Sequence, residues 1–169
     1  MKTLRFMKIL VLVFCCLHKA GDCIAQTSPR FTLHLSSSNP QVKDGSEEVV
    51  VIQMTNTWNH PLAYSVGGPG GPNLEFHFRI VDQHGQNVRE TPFGMKMHDT
   101  DPNSHGWTGS MGTGLLPIGE TQTRKINLGK EYDLSAPGVY RVTASRFDQL
   151  SHITVTSNEV QFTVLSTPQ

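Results

Sequence analysis

The residues best suited to chemistry lie in one stretch, between Pro92 and Gly114. Methionine thioethers favour Cu(I), and histidine imidazole binds copper in either oxidation state. The spacing Asp99-x-Asp101-x-Asn103 also places oxygen ligands at alternate positions, as a calcium-binding loop does. A copper or calcium site in this stretch would draw its ligands from Met95, Met97, His98, Asp99, Asp101, His105 and Met111.

The calcium hypothesis departs from the EF-hand pattern at two positions. Position six is Ser104, where the loop needs glycine for its sharp turn, and position twelve is Ser110, where it needs a bidentate glutamate. A second interpretation involves no ligand, because a glycine-rich surface loop can carry the same residues and methionine can fill gaps at the end of a sandwich. We therefore expect no cofactor, with copper and calcium kept as hypotheses.

Aromatic residues in or beside the predicted loops are candidates for a recognition surface. Loops at one end of a β-sandwich commonly bind partners, and aromatic side chains supply contact area at a small entropic cost. The alternative is that the two tryptophans fold back onto the open ends of the sandwich. The predicted binding residues, in the loops Trp58–Pro72 and Phe93–Gly114, are Trp58, Tyr64, Phe93 and Trp107.

The sequence lacks the arrangements that hydrolytic enzymes use. Neither G-x-S-x-G nor H-E-x-x-H occurs. All three cysteines, Cys15, Cys16 and Cys23, precede residue 26, so a processed chain would have neither a thiol nucleophile nor a disulfide. The carboxylates of Glu47 and Glu48 are adjacent, and a strand would turn them to opposite faces. We expect no catalytic residue and no enzymatic activity.

The first 25 residues have the organisation of a secretory signal. Positive charges at Lys2, Arg5 and Lys8 precede the apolar run Ile9–Leu17, and Ala25 is a small residue suited to a cleavage site. The run is shorter than the roughly 20 residues needed to cross a bilayer. The sequence predicts a signal peptide at residues 1–25 and a single domain at 26–169 without a membrane span, exported by a bacterium to the periplasm or the exterior.

The charge of the exported part argues against nucleic acid as a partner. The whole chain carries 14 basic and 14 acidic residues. Residues 1–25 hold four of the basic residues and one of the acidic ones, which leaves 10 against 13 and a net charge of −3. Domains that bind nucleic acid usually present a basic face. We therefore expect an exported protein, or a surface glycan, as the partner.

Alternation of apolar and polar residues predicts the strands that must position these loops. In Leu74–Val81 it places Phe76 and Phe78 in the core and Glu75 in solvent, with Gln86–Glu90 returning as an antiparallel partner. No amphipathic helix is predicted. The predicted strands are Arg30–Ser36, Glu48–Thr57, Leu74–Val81, Thr121–Leu128, Val139–Ser145, Ile153–Val155 and Glu159–Leu165.

The spacing Gly138-x-Tyr140-x-Val142-x-Ala144 is typical of the corner between strands E and F of an immunoglobulin-like sandwich. There a tyrosine leads into strand F, and its hydroxyl bonds back to nearby backbone. Val142 occupies the place where antibody domains have a cysteine. The sequence thus predicts an all-β fold, an Ig-like antiparallel β-sandwich of about seven strands.

The segment LPIGETQTRKINLGKEYDLSAPGVYRV, from Leu116 to Val142, carries a family resemblance. It resembles the small β-sandwich domain that precedes the catalytic domain in deuterolysin-type and peptidyl-Lys zinc metallopeptidases. It is also similar to bacterial proteinase-inhibitor-like domains. The resemblance spans Glu48 to Arg146, with YDLSAPGVY as its specific part, and it implies a sandwich that sits beside a peptidase or binds one.

These observations favour an exported, non-enzymatic binding module that recognises a protein or surface glycan through loops at one end of the sandwich. A proteinase-inhibitor-like role is a narrower form of that hypothesis. The first alternative is a periplasmic copper-handling protein that uses the Met/His loop of residues 95–111. The second alternative is a structural domain of the cell envelope.

Overall fold

The computed structural model describes residues 28–43, 47–67, 75–102 and 111–166, so the predicted signal peptide lies outside the described residues. The described residues form ten strands and two short helices. The strands are β1 (Phe31–Ser37), β2 (Gln41–Lys43), β3 (Val49–Asn56), β4 (Leu62–Gly67), β5 (His77–Val81), β6 (Met111–Leu116), β7 (Thr121–Asn127), β8 (Gly138–Asp148), β9 (Ile153–Thr156) and β10 (Val160–Leu165), and the helices are α1 (Pro92–Met97) and α2 (Leu128–Glu131).

The strands pair as two facing sheets and a separate ribbon. One sheet has the order β1-β3-β7, the other has the order β2-β10-β8-β5 with β9 added on β8, and β4 pairs with β6. This is the pairing of an immunoglobulin-like sandwich, in which β3, β7 and β8 are the predicted strands B, E and F. The predicted fold class is confirmed.

The described strands outnumber the predicted seven for local reasons. The first strand is divided into β1 and β2, and β2 crosses to the other sheet, where it runs parallel to β10. The last two predicted strands, Ile153–Val155 and Glu159–Leu165, correspond to β9 and β10, which pair with the end and the beginning of β8. The β4–β6 ribbon adds the remaining two strands.

The core is built from the period-two positions of the facing sheets. In β3 the side chains of Val50, Ile52 and Met54 are buried, while their neighbours are only partly covered. In β10 the same alternation buries Phe162 and Val164. Full burial of a large aliphatic or aromatic side chain is worth roughly 1.5–3 kcal/mol, so these inner faces supply the main stabilisation of the sandwich.

The predicted tyrosine corner is present at the start of β8. The hydroxyl of Tyr140 donates a hydrogen bond of 2.7 Å to the carbonyl oxygen of Ala136. The ring of Tyr140 stacks on Phe162, with the centroids 5.5 Å apart. Val142, two residues further on, is completely buried. The corner therefore ties the chain before β8 to the core between the sheets.

A short helix that the sequence did not predict follows the segment Gln86–Glu90. Thr91 caps α1, since its hydroxyl oxygen accepts a 3.0 Å hydrogen bond from the amide of Gly94, and Pro92 stands at the first helical position. Six residues make fewer than two turns, which is too short for a helical hydrophobic period to be visible in sequence. Among the described residues, no helix is long and apolar enough to cross a membrane.

Glycine allows α1 to lie directly on α2. A Cβ atom at Gly94 would stand 2.8 Å from the carbonyl carbon of Glu131. The amide of Thr91 donates to the carbonyl oxygen of Glu131 at 2.9 Å, and the Thr91 hydroxyl donates to that of Lys130 at 2.6 Å. The two short helices thus form one cap at the end of the sandwich where β3 begins and β7 ends.

The β4–β6 ribbon occupies part of the two segments that were predicted to be loops. Leu62 faces Leu116 and Tyr64 faces Gly114 in its register. A Cβ atom at Gly114 would lie 2.7 Å from Cε1 of Tyr64, so glycine leaves room for that ring. The sequence did not predict β6, because this strand contains glycines and glycine is disfavoured in strand interiors.

The predicted orientation of Glu75 was wrong, because its side chain is buried rather than exposed to solvent. The predicted strand Gln86–Glu90, the hairpin partner of β5, does not form a continuous strand. The contacts of this segment with β5 and the turn after it include an isolated bridge between Val81 and Asn87, a 3.0 Å hydrogen bond from the amide of Val88 to the carbonyl oxygen of Ile80, and a 2.9 Å hydrogen bond from the amide of Asp82 to the carbonyl oxygen of Gln86. Burial of Glu75 requires compensating cations, and these help to form the candidate site.

Candidate functional site

A cleft of about 560 Å³ opens between the β4–β6 ribbon and the turn that joins β8 to β9. Two buried carboxylates, Glu75 and Asp148, line it together with Arg146 and Arg30, which pair with them. Phe147 and Leu150 line its rim, with 50% and 68% of their surfaces exposed. We call this feature the charged cleft and define it by Arg30, Tyr64, Glu75, Arg146, Phe147, Asp148 and Leu150.

Asp148 and Arg30 form one of the two ion pairs. The Arg30 Nε donates to both Asp148 carboxylate oxygens, at 2.8 and 3.0 Å, and its Nη2 donates to Oδ1. The hydroxyl of Ser151 donates to Asp148 Oδ2 at 2.6 Å. Burial alone would raise the pKa of Asp148, but the hydrogen bonds from Arg30 and Ser151 outweigh it and hold the pKa well below its usual range. Asp148 is therefore a fixed anion beneath Arg30.

Glu75 is the second buried carboxylate, and it lies between two arginines. Its Oε1 is 2.8 Å from Arg146 Nη2, and its Oε2 is 3.2 Å from Arg124 Nη2. Burial raises the pKa of Glu75 although both arginines act in the opposite direction. Removing either cation would leave a buried charge without its partner, which is costly.

Each arginine of the charged cleft also stacks on an aromatic ring. The guanidinium carbon of Arg146 lies 4.8 Å from the ring centroid of Phe31, and that of Arg30 lies 4.9 Å from the ring of Trp58. Such cation–π contacts add to the ion pairs. The carboxylate on one side and the ring on the other hold both guanidinium groups in defined positions before any ligand arrives.

The predicted aromatic residues do not form one surface. Trp58 is partly buried against Arg30, and Tyr64 lines the charged cleft. Phe93 is exposed, but it lies in α1 at the opposite end of β3 from Trp58, since β3 runs from the helical cap to Asn56. Seven residue steps of strand separate these ends by roughly 23 Å. Trp107 lies outside the described residues.

His98, a predicted metal ligand, joins two carboxylates at the helical cap. Its Nδ1 is 2.6 Å from Glu90 Oε1, and its Nε2 is 3.0 Å from Glu131 Oε2. Because a carboxylate only accepts hydrogen bonds, a doubly protonated imidazolium satisfies both contacts. The hydrogen bond to Glu131 first, and then that to Glu90, raises the pKa of His98 despite its burial.

This arrangement leaves neither nitrogen of His98 available to a metal ion. Met97 is buried, Met95 is half-buried, and Asp99 is exposed after the end of α1. In the ranges that the structure describes, no group of three or more His, Cys, Asp or Glu side chains could hold a metal ion. The other predicted ligands are Asp101, which follows α1, Met111, whose side chain is not described, and His105, which lies outside the described residues.

Sequence reasoning missed most residues of the charged cleft. Arg30 was the first residue of a predicted strand, Arg146 was the last residue of the family resemblance, and Asp148 carried no prediction. The only local signal was the pair Phe147 and Leu150, two large apolar residues beside a turn that would be expected to be polar. The pairing partners are far apart in the chain, so no spacing rule could have connected them.

Comparisons with known proteins do not extend beyond distant structural likeness. No protein-family model and no curated protein matches the chain. A CARDB domain from Pyrococcus furiosus in complex with di-metal ions is similar at 9% identity and a TM-score of 0.39, over 84% of this chain and 96% of that one. Such scores carry no argument about function.

Two larger structures show similar scores over part of their length. A β-glucosidase from Listeria innocua in complex with glucose matches at 15% identity and a TM-score of 0.42, over 80% of this chain and 16% of that one. A DNA glycosylase from Pseudomonas fluorescens, AlkC, matches at 13% identity and a TM-score of 0.41, over 88% and 35%. None of these comparisons shows the expected relationship to the β-sandwich domain of deuterolysin-type peptidases. The structure itself shows an immunoglobulin-like β-sandwich with a charged cleft.

Proposed function

We propose that the chain is an exported, non-enzymatic binding module that recognises another protein through the charged cleft. The observation that carries this proposal is the exposed apolar rim of Phe147 and Leu150 above two positioned arginines. Aromatic residues and arginine are enriched in protein interfaces, and burial of apolar surface favours association. The rim and the arginines thus provide the two kinds of contact that an interface uses.

The electrostatics of the cleft support binding rather than acid–base catalysis. A general acid or base must exchange a proton near the working pH. Asp148 is held as an anion by Arg30 and Ser151, and Glu75 is enclosed by Arg124 and Arg146. Asp148 therefore stays ionised, and although burial raises the pKa of Glu75, both of its carboxylate oxygens lie against the arginines that it positions.

The proposed surface differs from the loop cluster expected from sequence. It includes Tyr64, but its rim comes from the β8–β9 turn and not from Phe93. Inhibition of a peptidase is a narrower form of the proposal, and it depends on the resemblance in the segment Leu116–Val142. That role would need a separate assay in which the protein slows a purified exported peptidase.

A display selection with a matched control variant tests the proposal. A library of random peptides is selected on the protein, and the enriched peptides are then measured against Leu150→Asn and Leu165→Asn. Leu165 is also an exposed leucine, but β10 places it near Gly138, at the other end of β8 from Asp148. We expect Leu150→Asn to weaken binding about tenfold and Leu165→Asn to leave it unchanged. A failure to enrich any peptide, or equal binding by both variants, would contradict the proposal.

A further inference from the structure

The two ion pairs of the charged cleft present their positive members to solvent. The side chains of Arg30 and Arg146 each keep 14% of their surface exposed, whereas those of Asp148 and Glu75 keep 0% and 3%. The carboxylates are thus covered by the guanidinium groups that they hold. A ligand in the cleft can therefore contact more arginine surface than carboxylate surface.

Both guanidinium groups have donor capacity beyond their internal partners. Each carries five N–H donors and no acceptor. Arg30 uses Nε and Nη2 toward Asp148, and in the described part of the chain its Nη1 has no hydrogen-bond partner. Arg146 uses Nη1 toward the sulfur of Met54 and Nη2 toward Glu75 and the carbonyl oxygen of Ala63, while its Nε has no hydrogen-bond partner among the described residues.

We propose that the charged cleft binds an extended acidic segment of the partner protein, with a carboxylate on the arginines and a neighbouring apolar side chain against Phe147 and Leu150. This inference rests on the proposed function and names the chemistry of the partner. Carboxylates are the groups that arginine donors bind with charge-assisted hydrogen bonds. The exposed apolar side chain of Leu150, next to Phe147, favours a peptide over an acidic sugar, because a peptide can place an apolar side chain against both residues.

The probes for the test are capped, fluorescein-labelled peptides of three compositions. In the first, leucine alternates with aspartate, and in the matched peptides asparagine or lysine replaces aspartate. Binding is measured by fluorescence anisotropy at two salt concentrations. We expect the aspartate peptide to bind at least about tenfold tighter than the asparagine peptide, and to lose affinity in high salt because the contact is electrostatic.

Gln149 allows the charge of the cleft to be changed without disturbing the ion pairs. It lines the cleft, and its side chain is exposed and uncharged. We expect Gln149→Lys to tighten binding of the aspartate peptide about threefold and Gln149→Glu to weaken it by a similar factor. The matched controls are Gln161→Lys and Gln161→Glu, since Gln161 is exposed on β10 opposite Arg141 and outside the cleft. Circular dichroism checks that all four variants keep the fold.

Several results would overturn the inference. These are equal or tighter binding of the asparagine or lysine peptide, no binding of the aspartate peptide at about 1 mM, and indifference to the charge at Gln149. Competition by a soluble polyuronate in place of any peptide would favour an acidic glycan and would also overturn it. The proposed function would still stand if the display selection yields peptides whose binding depends on Leu150. Failure of that selection would contradict both the proposed function and the inference of an acidic partner segment.

Discussion

The His98 bridge offers the sharpest test of how the cap is held together. Replacement by glutamine keeps one amide donor of similar reach but removes the positive charge and the second donor. Both nitrogens of His98 contact carboxylates, those of Glu90 and Glu131, and the histidine side chain is 11% exposed. The pKa of His98 is raised by these contacts, whereas the pKa of Glu90 is lowered. Burial alone would raise the pKa of Glu90, but the hydrogen bonds from Thr100 and His98 outweigh it.

The loss of unfolding free energy in His98→Gln follows from the two hydrogen bonds of His98. A hydrogen bond to a charged group contributes about 1.5–3 kcal/mol, and a neutral one contributes about 1 kcal/mol. Loss of two charged bonds, offset by one bond from the glutamine amide to a carboxylate, gives a destabilisation by His98→Gln of about 1.5–3 kcal/mol. Because folding raises the pKa of His98, its contribution is complete below the unfolded value of about 6.5 and is lost as the pH rises through the folded pKa.

The assay is urea unfolding followed by far-ultraviolet circular dichroism between about pH 6 and pH 9. We expect the stability difference between the wild type and His98→Gln to be largest near pH 6 and to fall to about 1 kcal/mol near pH 9. His34→Gln, which replaces an exposed histidine of β1, should leave the wild-type pH dependence intact. A difference that stays constant or grows with pH would refute the imidazolium bridge.

Two further predictions concern the corner and the cap. Tyr140→Phe removes the hydroxyl that donates to the carbonyl oxygen of Ala136. We expect the free energy of unfolding, measured with urea, to fall by about 1 kcal/mol. An unchanged midpoint would show that the corner hydrogen bond contributes nothing. Gly94→Ala forces a methyl group against the backbone of Glu131 and should lower the free energy of unfolding by at least about 2 kcal/mol. The control Lys96→Ala, on the exposed face of the same helix, should lower it by less than about 0.5 kcal/mol. Equal effects would contradict the close packing of the two helices.

The strands that form the two facing sheets were predictable because their signal is local. In β3 and β10, alternate residues enter the core, so a period of two identifies both the strand and its buried face. The corner at Tyr140 was predictable for the same reason, since its hydroxyl reaches only four residues back, to Ala136. Each of these features involves residues that are close together in the chain.

Features that depend on partners distant in sequence were not predictable in this way. Glu75 follows the alternation of a solvent-facing residue, yet Arg124 and Arg146 enclose it. Trp58 was predicted as a binding residue from its loop position, and the sequence carried no sign that its ring packs on Arg30, which Asp148 holds. Burial of a charge depends on whether a counter-charge arrives from another strand, and periodicity carries no information about that.

The sequence by itself determined an all-β chain with the corner of an immunoglobulin-like sandwich, because alternation and corner chemistry act over a few residues. It also predicted a secretory signal, which stays a prediction. Only the tertiary structure decided that Arg30 and Asp148, 118 positions apart, meet at a cleft, and that His98 joins carboxylates rather than thioethers. Such contacts form when strands distant in the chain are brought side by side, and that register is a property of the folded molecule as a whole.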